Sequence, residues 1–241
     1  MENTFISLPL LKEKAAIYGV DLDDRALERF DIYARNLVEW NEKINLTAIT
    51  EPDEIVIKHF VDSLTIFSAI DIPQNAKIID VGTGAGFPGI PMLIARPDLD
   101  ITLMDSTNKR LNVIRDILQK LELNANVVHS RAEEAGKSPV YREKYDFSTA
   151  RAVSNLRDLS EYCIPFVKIG GAFISMKGAK ADIEIEEAAK AIKTLGGKVT
   201  EKKTFELEDT GERTIVIIKK VSPTLPKFPR PSAKITKNPI R

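Results

Sequence analysis

The chain has 241 residues, 43% of them hydrophobic, and its 35 basic and 35 acidic residues cancel. That length supports one sizeable core with a small appendage, and zero net charge gives no global sign of a nucleic-acid partner. A single cysteine, Cys163, excludes a disulfide framework and a cysteine metal cluster, and the two histidines, His59 and His129, lack ligand spacing, so no metal site is expected. No apolar run reaches the roughly 18 residues of a membrane span, and the start MENTFISLPLLKEKAA lacks the pattern of a secretory signal. A soluble cytoplasmic protein is expected, monomeric and without a membrane partner.

Residues 1–75 read as a helical subdomain. Leu8, Leu11, Ala15 and Tyr18 fall at helical spacing, and Leu27, Phe30, Tyr33, Leu37 and Trp40 repeat every three to four residues, with Asp23 or Asp24 placed to cap that second helix. A third amphipathic helix is expected from about Pro52 to Ile70. Between the last two, NEKINLTAIT has no helical period and offers Thr47 and Thr50 as caps.

Residues 76–221 change pattern. KIIDV (Lys77–Val81) is a short apolar run closed by glycine, a buried strand. A short helix, the strand ITLMD (Ile101–Asp105), a helix from Asn108 to Leu123, the strand ANVVHS (Ala125–Ser130) and a second short helix follow. Then come the strand YDFSTARAV (Tyr145–Val153), a helix through Val167 and the strand GAFISMKG (Gly171–Gly178). Alternating strands and helices predict an α/β fold with a mostly parallel sheet covered on both faces. KVTEKKTFEL and RTIVIIKKV flank the turn EDTGE, so the sheet is expected to end in an antiparallel pair. Residues 222–241 form a Pro-rich segment. Its five prolines argue against a regular helix or a central strand, and from Lys219 to Arg241 seven basic residues stand without an acidic one. Two readings stay open there: a solvated tail, or a basic segment packed near the site and touching phosphates.

The loop DVGTGAGFPG (Asp80–Gly89) lies where a doubly wound sheet binds its ligand. Gly84-x-Gly86-x-x-Gly89 fits the dinucleotide pattern, but the first glycine after the strand is Gly82. That register gives Gly82-x-Gly84-x-Gly86 preceded by the acid Asp80. A carboxylate there suits a cationic, phosphate-free ligand better than a pyrophosphate, which points to S-adenosylmethionine. The loop resembles motif I of the class I S-adenosylmethionine-dependent methyltransferases, and Asp105, at the end of the second strand, is placed to bind ribose hydroxyls.

Further segments narrow the resemblance. HFVDSL (His59–Leu64), NLTAI (Asn45–Ile49), SRAEE (Ser130–Glu134), TARAV (Thr149–Val153) and the closing P-R-P…K…K-x-P, taken in order with the glycine loop, resemble one family. It is the bacterial 16S rRNA guanine-N7 methyltransferases, long called glucose-inhibited division protein B. The resemblance implies a Rossmann-like methyltransferase sheet with an N-terminal helical extension. It also implies methyl transfer from S-adenosylmethionine to N7 of guanine 527 in the 530 loop of 16S rRNA, within naked rRNA, a small ribosomal subunit or an assembly intermediate. Carried over by position, Gly82 and Phe87 line the methionine and sulfonium end, Asp105 binds the ribose, Ala132 and Glu133 lie by the adenine, and Gly84 and Arg151 also bind the cofactor. Arg151 faces the methyl donor and the target base. The tail departs from the family in reading Pro231-Ser232-Ala233 where glycine is frequent.

The chemistry agrees with that expectation. Guanine N7 carries a lone pair and no proton at neutral pH, so alignment rather than a general base is required. The [DN]-P-P-[YF] motif of amine methyltransferases is replaced by STARAV, and Cys163 sits in a helical apolar pattern rather than as a nucleophile. For Arg151 a salt-bridge role, a contact to guanine O6 and a hold on a phosphate all stay open. Asp80 and Glu133 are expected to offset the positive charge around it. Lys58, His59, Lys177, Lys227, Arg230, Lys234 and Lys237 are candidate RNA contacts, set against ordinary surface polarity. Two other functions remain: a NAD-linked oxidoreductase, carried only by the shifted glycine pattern, and a non-catalytic RNA-binding ribosome-assembly protein.

Overall fold

The structure, a computed structural model, describes residues 4–151, 154–208 and 211–240. Helix α1 (Leu8–Ile17) follows the Ser7 cap, and α2 (Asp24–Asn41) starts where the Asp23 carboxylate accepts the Ala26 amide. The third helical stretch is not one regular helix. It runs as α3 (Pro52–Ile55), a π-helical turn (Val56–Val61), α4 (Asp62–Leu64) and α5 (Ile66–Ala69). A π turn inserts one extra residue and re-aims the side chains beyond it; here it is VIKHFV, which carries His59. Neither threonine caps α3, whose N-cap is Glu51.

Strand β1 (Lys77–Val81) leads through the glycine loop to α6 (Gly89–Ala95), β2 (Asp100–Asp105), α7 (Asn108–Lys120), β3 (Asn126–His129), α8 (Ala132–Ala135) and β4 (Tyr145–Arg151). The next helix, α9 (Leu156–Cys163), ends at Cys163 rather than at Val167. Pro165 turns the chain through a 3₁₀ segment (Ile164–Phe166), so β5 starts at Val167 and runs to Gly178. Between β5 and the closing pair lies a helix that the sequence patterns above do not predict, α10 (Ala181–Thr194). Strands β6 (Gly197–Leu207) and β7 (Gly211–Lys220) form the expected antiparallel pair. The strand order is β3-β2-β1-β4-β5-β7-β6, with β1 to β5 parallel and β7 antiparallel to both neighbours. Order therefore reverses between β1 and β4, the switch point at which such sheets bind ligands.

Alternate residues of the central strands feed two cores. Ile78, Leu103 and Ile217 join one with α6, α7 and the apolar faces of the N-terminal helices; Ile79, Met104 and Ile218 join the other with α9 and α10. The N-terminal helices are also tied in by polar groups. Arg29 donates to the carbonyls of Leu121 and Glu122, Trp40 Nε1 to Asp116, and Tyr33 Oη to the Ala85 carbonyl at 2.7 Å. The Pro-rich segment is docked, with Phe228 and Ile235 buried, and it carries a helix, α11 (Ser232–Lys237), that proline content had argued against. Pro231 sits just before the helix, where its fixed φ and missing N–H cost nothing.

Gly89 begins α6 against β2. A Cβ there meets Leu103 Cδ2 at 2.3 Å and Asp80 Oδ2 at 3.0 Å. Gly89→Ala is expected to lower stability by about 1–3 kcal/mol, the usual cost of overpacking a core, measured by urea unfolding.

Candidate active site at the carboxyl ends of the strands

The glycine loop is fixed from below. Asp80 is fully buried; its Oδ2 accepts from Thr83 Oγ1 (2.6 Å) and the Gly89 amide (3.0 Å), and its Oδ1 from Thr149 Oγ1 (3.3 Å). The expectation that this acid faces a cationic ligand is therefore corrected, since it reaches no cavity and instead ties β1, α6 and β4 together. Burial raises its pKa to about 6, against the opposing effect of these hydrogen bonds. Gly82 (φ +73°) and Gly84 (φ +61°) take left-handed conformations that β-carbons disfavour. The amides of Gly82 and Thr83 donate to the Met104 carbonyl, and that of Gly84 to Asp105 Oδ2.

Two cavities open over this loop and share Gly82 and Ser154. The smaller, about 290 Å³, is lined by Asp105, Ala132, Glu133, Tyr162 and Ser232. Asp105 is 4% exposed and accepts one backbone amide on each oxygen, from Thr107 and Gly84. A carboxylate has about four acceptor sites, so capacity for ribose hydroxyls remains. The larger cavity, about 590 Å³, is walled by Gly84, Phe87, Arg151, His59, Asp62 and Lys177, among others. A Cβ at Gly84 meets nothing within 4 Å, so this turn leaves open space where a ligand fits. A nucleoside end and a reacting end are thereby joined, and the donors and acceptors present suit S-adenosylmethionine.

Around Phe87 the larger cavity is built from flat groups. The His59 ring stacks on Phe87 with centroids 4.4 Å apart, and the Arg151 guanidinium lies 4.6 Å from the same ring. Arg151 donates to the Lys58 carbonyl (3.1 Å), Asp62 Oδ2 (2.9 Å) and His59 Nδ1 (3.2 Å). Arginine has no acceptor, so His59 Nδ1 accepts, and Nε2 carries the proton toward Thr47 Oγ1 at 2.8 Å. Burial first, then the Arg151 charge, pushes the His59 pKa down to about 3. Asp62 also pairs with Arg213 Nε at 3.3 Å, and Lys177 with Glu184 at 2.8 Å. Arg213 and Glu184 line this cavity but were not read from the sequence. Arg213 comes from a strand distant in sequence, and Glu184 from the helix that reading lacked. The charge offset expected of Asp80 comes instead from Asp62 and Glu184.

Of the candidate RNA contacts, His59 is buried in the cavity wall and Lys177 is 8% exposed, donating to the Ser154 carbonyl. Arg230 is locked to the buried Glu161 through Nε and Nη2. None of these three presents a free cation at the surface. Lys58 pairs with Glu54 at the rim, while Lys227, Lys234 and Lys237 are exposed. Cys163 is buried, with its thiol pKa pushed up by burial, and is no nucleophile. Among the described residues no cluster of metal-binding side chains occurs, and no helix is long and apolar enough to cross a membrane.

The strand order, the crevice at the switch point and a carboxylate at the end of β2 define a class I S-adenosylmethionine-dependent methyltransferase. The chain matches the family described as rRNA small subunit methyltransferase G over residues 26–216, and it belongs to that family. It is 47% identical to the ribosomal RNA small subunit methyltransferase G of Clostridium novyi (strain NT) over the whole of both chains. With the protein of the same name from Acetivibrio thermocellus it shares 48% over 96% of each chain. Among solved structures it is similar in fold to a Methanococcus jannaschii fibrillarin pre-rRNA processing protein. There the TM-score is 0.52 at 15% identity, over 65% of this chain and 73% of that one. A precorrin-6y C5,15-methyltransferase from Geobacter metallireducens gives 0.50 at 16%, over 73% and 92%. The oxidoreductase and non-catalytic alternatives are set aside by the family.

Asp105→Ala is expected to weaken S-adenosylmethionine binding about 10- to 100-fold in calorimetric titration, the loss of hydrogen bonds to a charged acceptor. His59 is held neutral, with its pKa below the unfolded value of about 6.5. Its contribution to stability is present above that pH and is lost as pH falls toward 3. Asp80, with a raised pKa, contributes the opposite slope between about 4 and 6. Urea unfolding of the unaltered protein and His59→Gln cancels the Asp80 part. The stability advantage of the unaltered protein is expected to shrink between pH 7 and 5, by at most about 1.4 kcal/mol per unit.

Proposed function

We propose that this small-subunit rRNA methyltransferase delivers its methyl group to N7 of a guanine in 16S rRNA, the guanine 527 of the 530 loop that the family resemblance implies. The observation that carries this reading is the engaged state of the acid–base groups in the reacting cavity. Asp62 is paired with Arg151 and Arg213, Glu184 with Lys177, and His59 is neutral with both ring nitrogens occupied. A wall of this kind suits a nucleophile that needs no proton removed, and guanine N7 is one. Bound S-adenosylmethionine supplies an electrophilic methyl group on its sulfonium.

The chain's own part is alignment and exclusion of water. Asp105 holds the ribose, and Ala132 and Glu133 flank the adenine. Gly82 and Gly84 let the backbone approach, and Phe87 gives a flat apolar surface beside the reacting centre. Arg151, whose guanidinium is fixed by three acceptors and one ring, turns its remaining donors to guanine O6, which leaves N7 open to the methyl group. Asp62 keeps that arginine from opposing a cationic donor. Lys227, Lys234 and Lys237, with Lys58 at the rim, meet RNA phosphates. The protein works in the cytoplasm as a monomer, on rRNA or a small-subunit particle.

In a strain lacking the gene, borohydride–aniline cleavage of 16S rRNA, which reports N7-methylguanine, is expected to lose its signal at this guanine and regain it on complementation. Methylation mapped by mass spectrometry to another atom or base overturns the reading. Arg151→Ala is expected to lower kcat about 10- to 100-fold, the value of a charge-assisted hydrogen bond, with cofactor affinity changed only a few-fold.

A further inference from the structure

We infer that the basic C-terminal segment is a wall of the cofactor cavity: Ser232 and Tyr162 close its nucleoside end, and the exposed face of the same short helix is left for RNA. The inference concerns cofactor binding and does not depend on which rRNA atom is methylated.

Ser232, the first residue of α11, lines the same cavity as Asp105, Ala132 and Glu133, and its Oγ lies 3.0 Å from Tyr162 Oη of α9. Two hydroxyls in contact each keep donor or acceptor capacity for a third polar group. They stand in the cavity that also contains the ribose-binding carboxylate. A wall needs rigid support, and this one has three clamps. The buried Glu161 accepts the Arg230 amide at 2.7 Å and its guanidinium through both oxygens. Arg230 Nη1 in turn donates to the Asn238 carbonyl at the far end of α11. Arg142 donates to the carbonyls of Thr224, Leu225 and Phe228, and also to that of Gly136, the C-cap of α8. A Cβ at Gly136 meets Pro229 Cγ at 3.0 Å, so tail and α8 are in direct contact. Helix α8 starts with Ala132 and Glu133, the residues assigned to the adenine. Lys220, fully buried, donates to Thr224 Oγ1 and the Ile164 carbonyl.

The two faces of α11 then divide the work. Ile235 is buried, whereas Lys234 and Lys237 are exposed. Cofactor binding and the surface offered to RNA are carried by one six-residue helix.

The test uses S-adenosylhomocysteine and the full chain. Calorimetric titration of Ser232→Phe, which fills the wall, is expected to show affinity lower by roughly tenfold or more. Ser232→Ala and Tyr162→Phe are expected to lose about 2- to 10-fold, the range of a neutral hydrogen bond, while Lys234→Ala changes affinity by less than about twofold. In the unaltered protein, S-adenosylhomocysteine is expected to slow amide exchange over residues 234–238, a readout that needs no variant to fold. Binding by Ser232→Phe at unaltered affinity, or exchange in the tail indifferent to the ligand, overturns the inference. A loss of rRNA methylation in Lys234→Ala with intact S-adenosylhomocysteine binding supports the division between the two faces, and an equal loss of both overturns it.

Discussion

A single buried carboxylate fixes the glycine loop over which both cavities open. Asp80 is the penultimate residue of β1, yet its hydrogen bonds run to the loop at Thr83, to the first turn of α6 at Gly89 and across to β4 at Thr149. An unpaired buried acid is costly, so the native state retains it by making these bonds. The loop they fix carries three positive-φ glycines, Gly82, Gly84 and Gly86, and at Gly84 the turn leaves open space beside the larger cavity. Asp105 then joins the loop from the neighbouring strand, accepting the Gly84 amide. The shape of the site is thus decided by hydrogen bonds beneath it, before any ligand arrives.

A second carboxylate, Asp62, binds the N-terminal helices to the far side of the sheet. It lies on α4 and pairs with Arg151 from β4 and Arg213 from β7. The π turn just before it brings His59 onto Phe87 and against Arg151. Segments at residues 59–62, 87, 151 and 213 therefore build one wall of the larger cavity, with His59 and Arg151 laid on Phe87. Around it the carboxylates Asp62 and Glu184 offset most of the charge of Arg151, Arg213 and Lys177, which suits a pocket whose cofactor is itself cationic.

Much of this was written in the sequence, for reasons that can be named. Apolar runs identify β1, β2 and β4, because central parallel strands are buried on both faces. The register of Gly82, Gly84 and Gly86 distinguishes the loop from a dinucleotide site, and Asp105 follows from its place at the end of β2. Asp80 shows the limit. The sequence puts an acid at the mouth of the site but is silent on which way its side chain turns. The π turn is hidden for a related reason, since VIKHFV reads as helix whether its turns hold four residues or five. Helix α10 leaves a weaker signal, because its buried face, Ala181, Ala188, Ala191 and Ile192, is mostly alanine. Arg230 looks like one more tail cation until its partner Glu161, 69 residues earlier, is placed beside it. Net charge and proline content describe a segment's composition, and docking depends on pairings that composition does not encode.

The insertion of β7 between β5 and β6 has a consequence for biosynthesis. β5 pairs over Ala172–Gly178 with Lys219–Arg213, so one edge of the sheet stays open until nearly the whole chain has left the ribosome. The segment that walls the nucleoside end is made later still. A nascent chain stopped before residue 211 has its glycine loop, Asp105 and Arg151 but lacks the strand that seals β5. It presents an unpaired edge, the template for aggregation. Termination before residue 211 therefore yields a chain that has translated most of its motifs and can assemble no complete cofactor pocket.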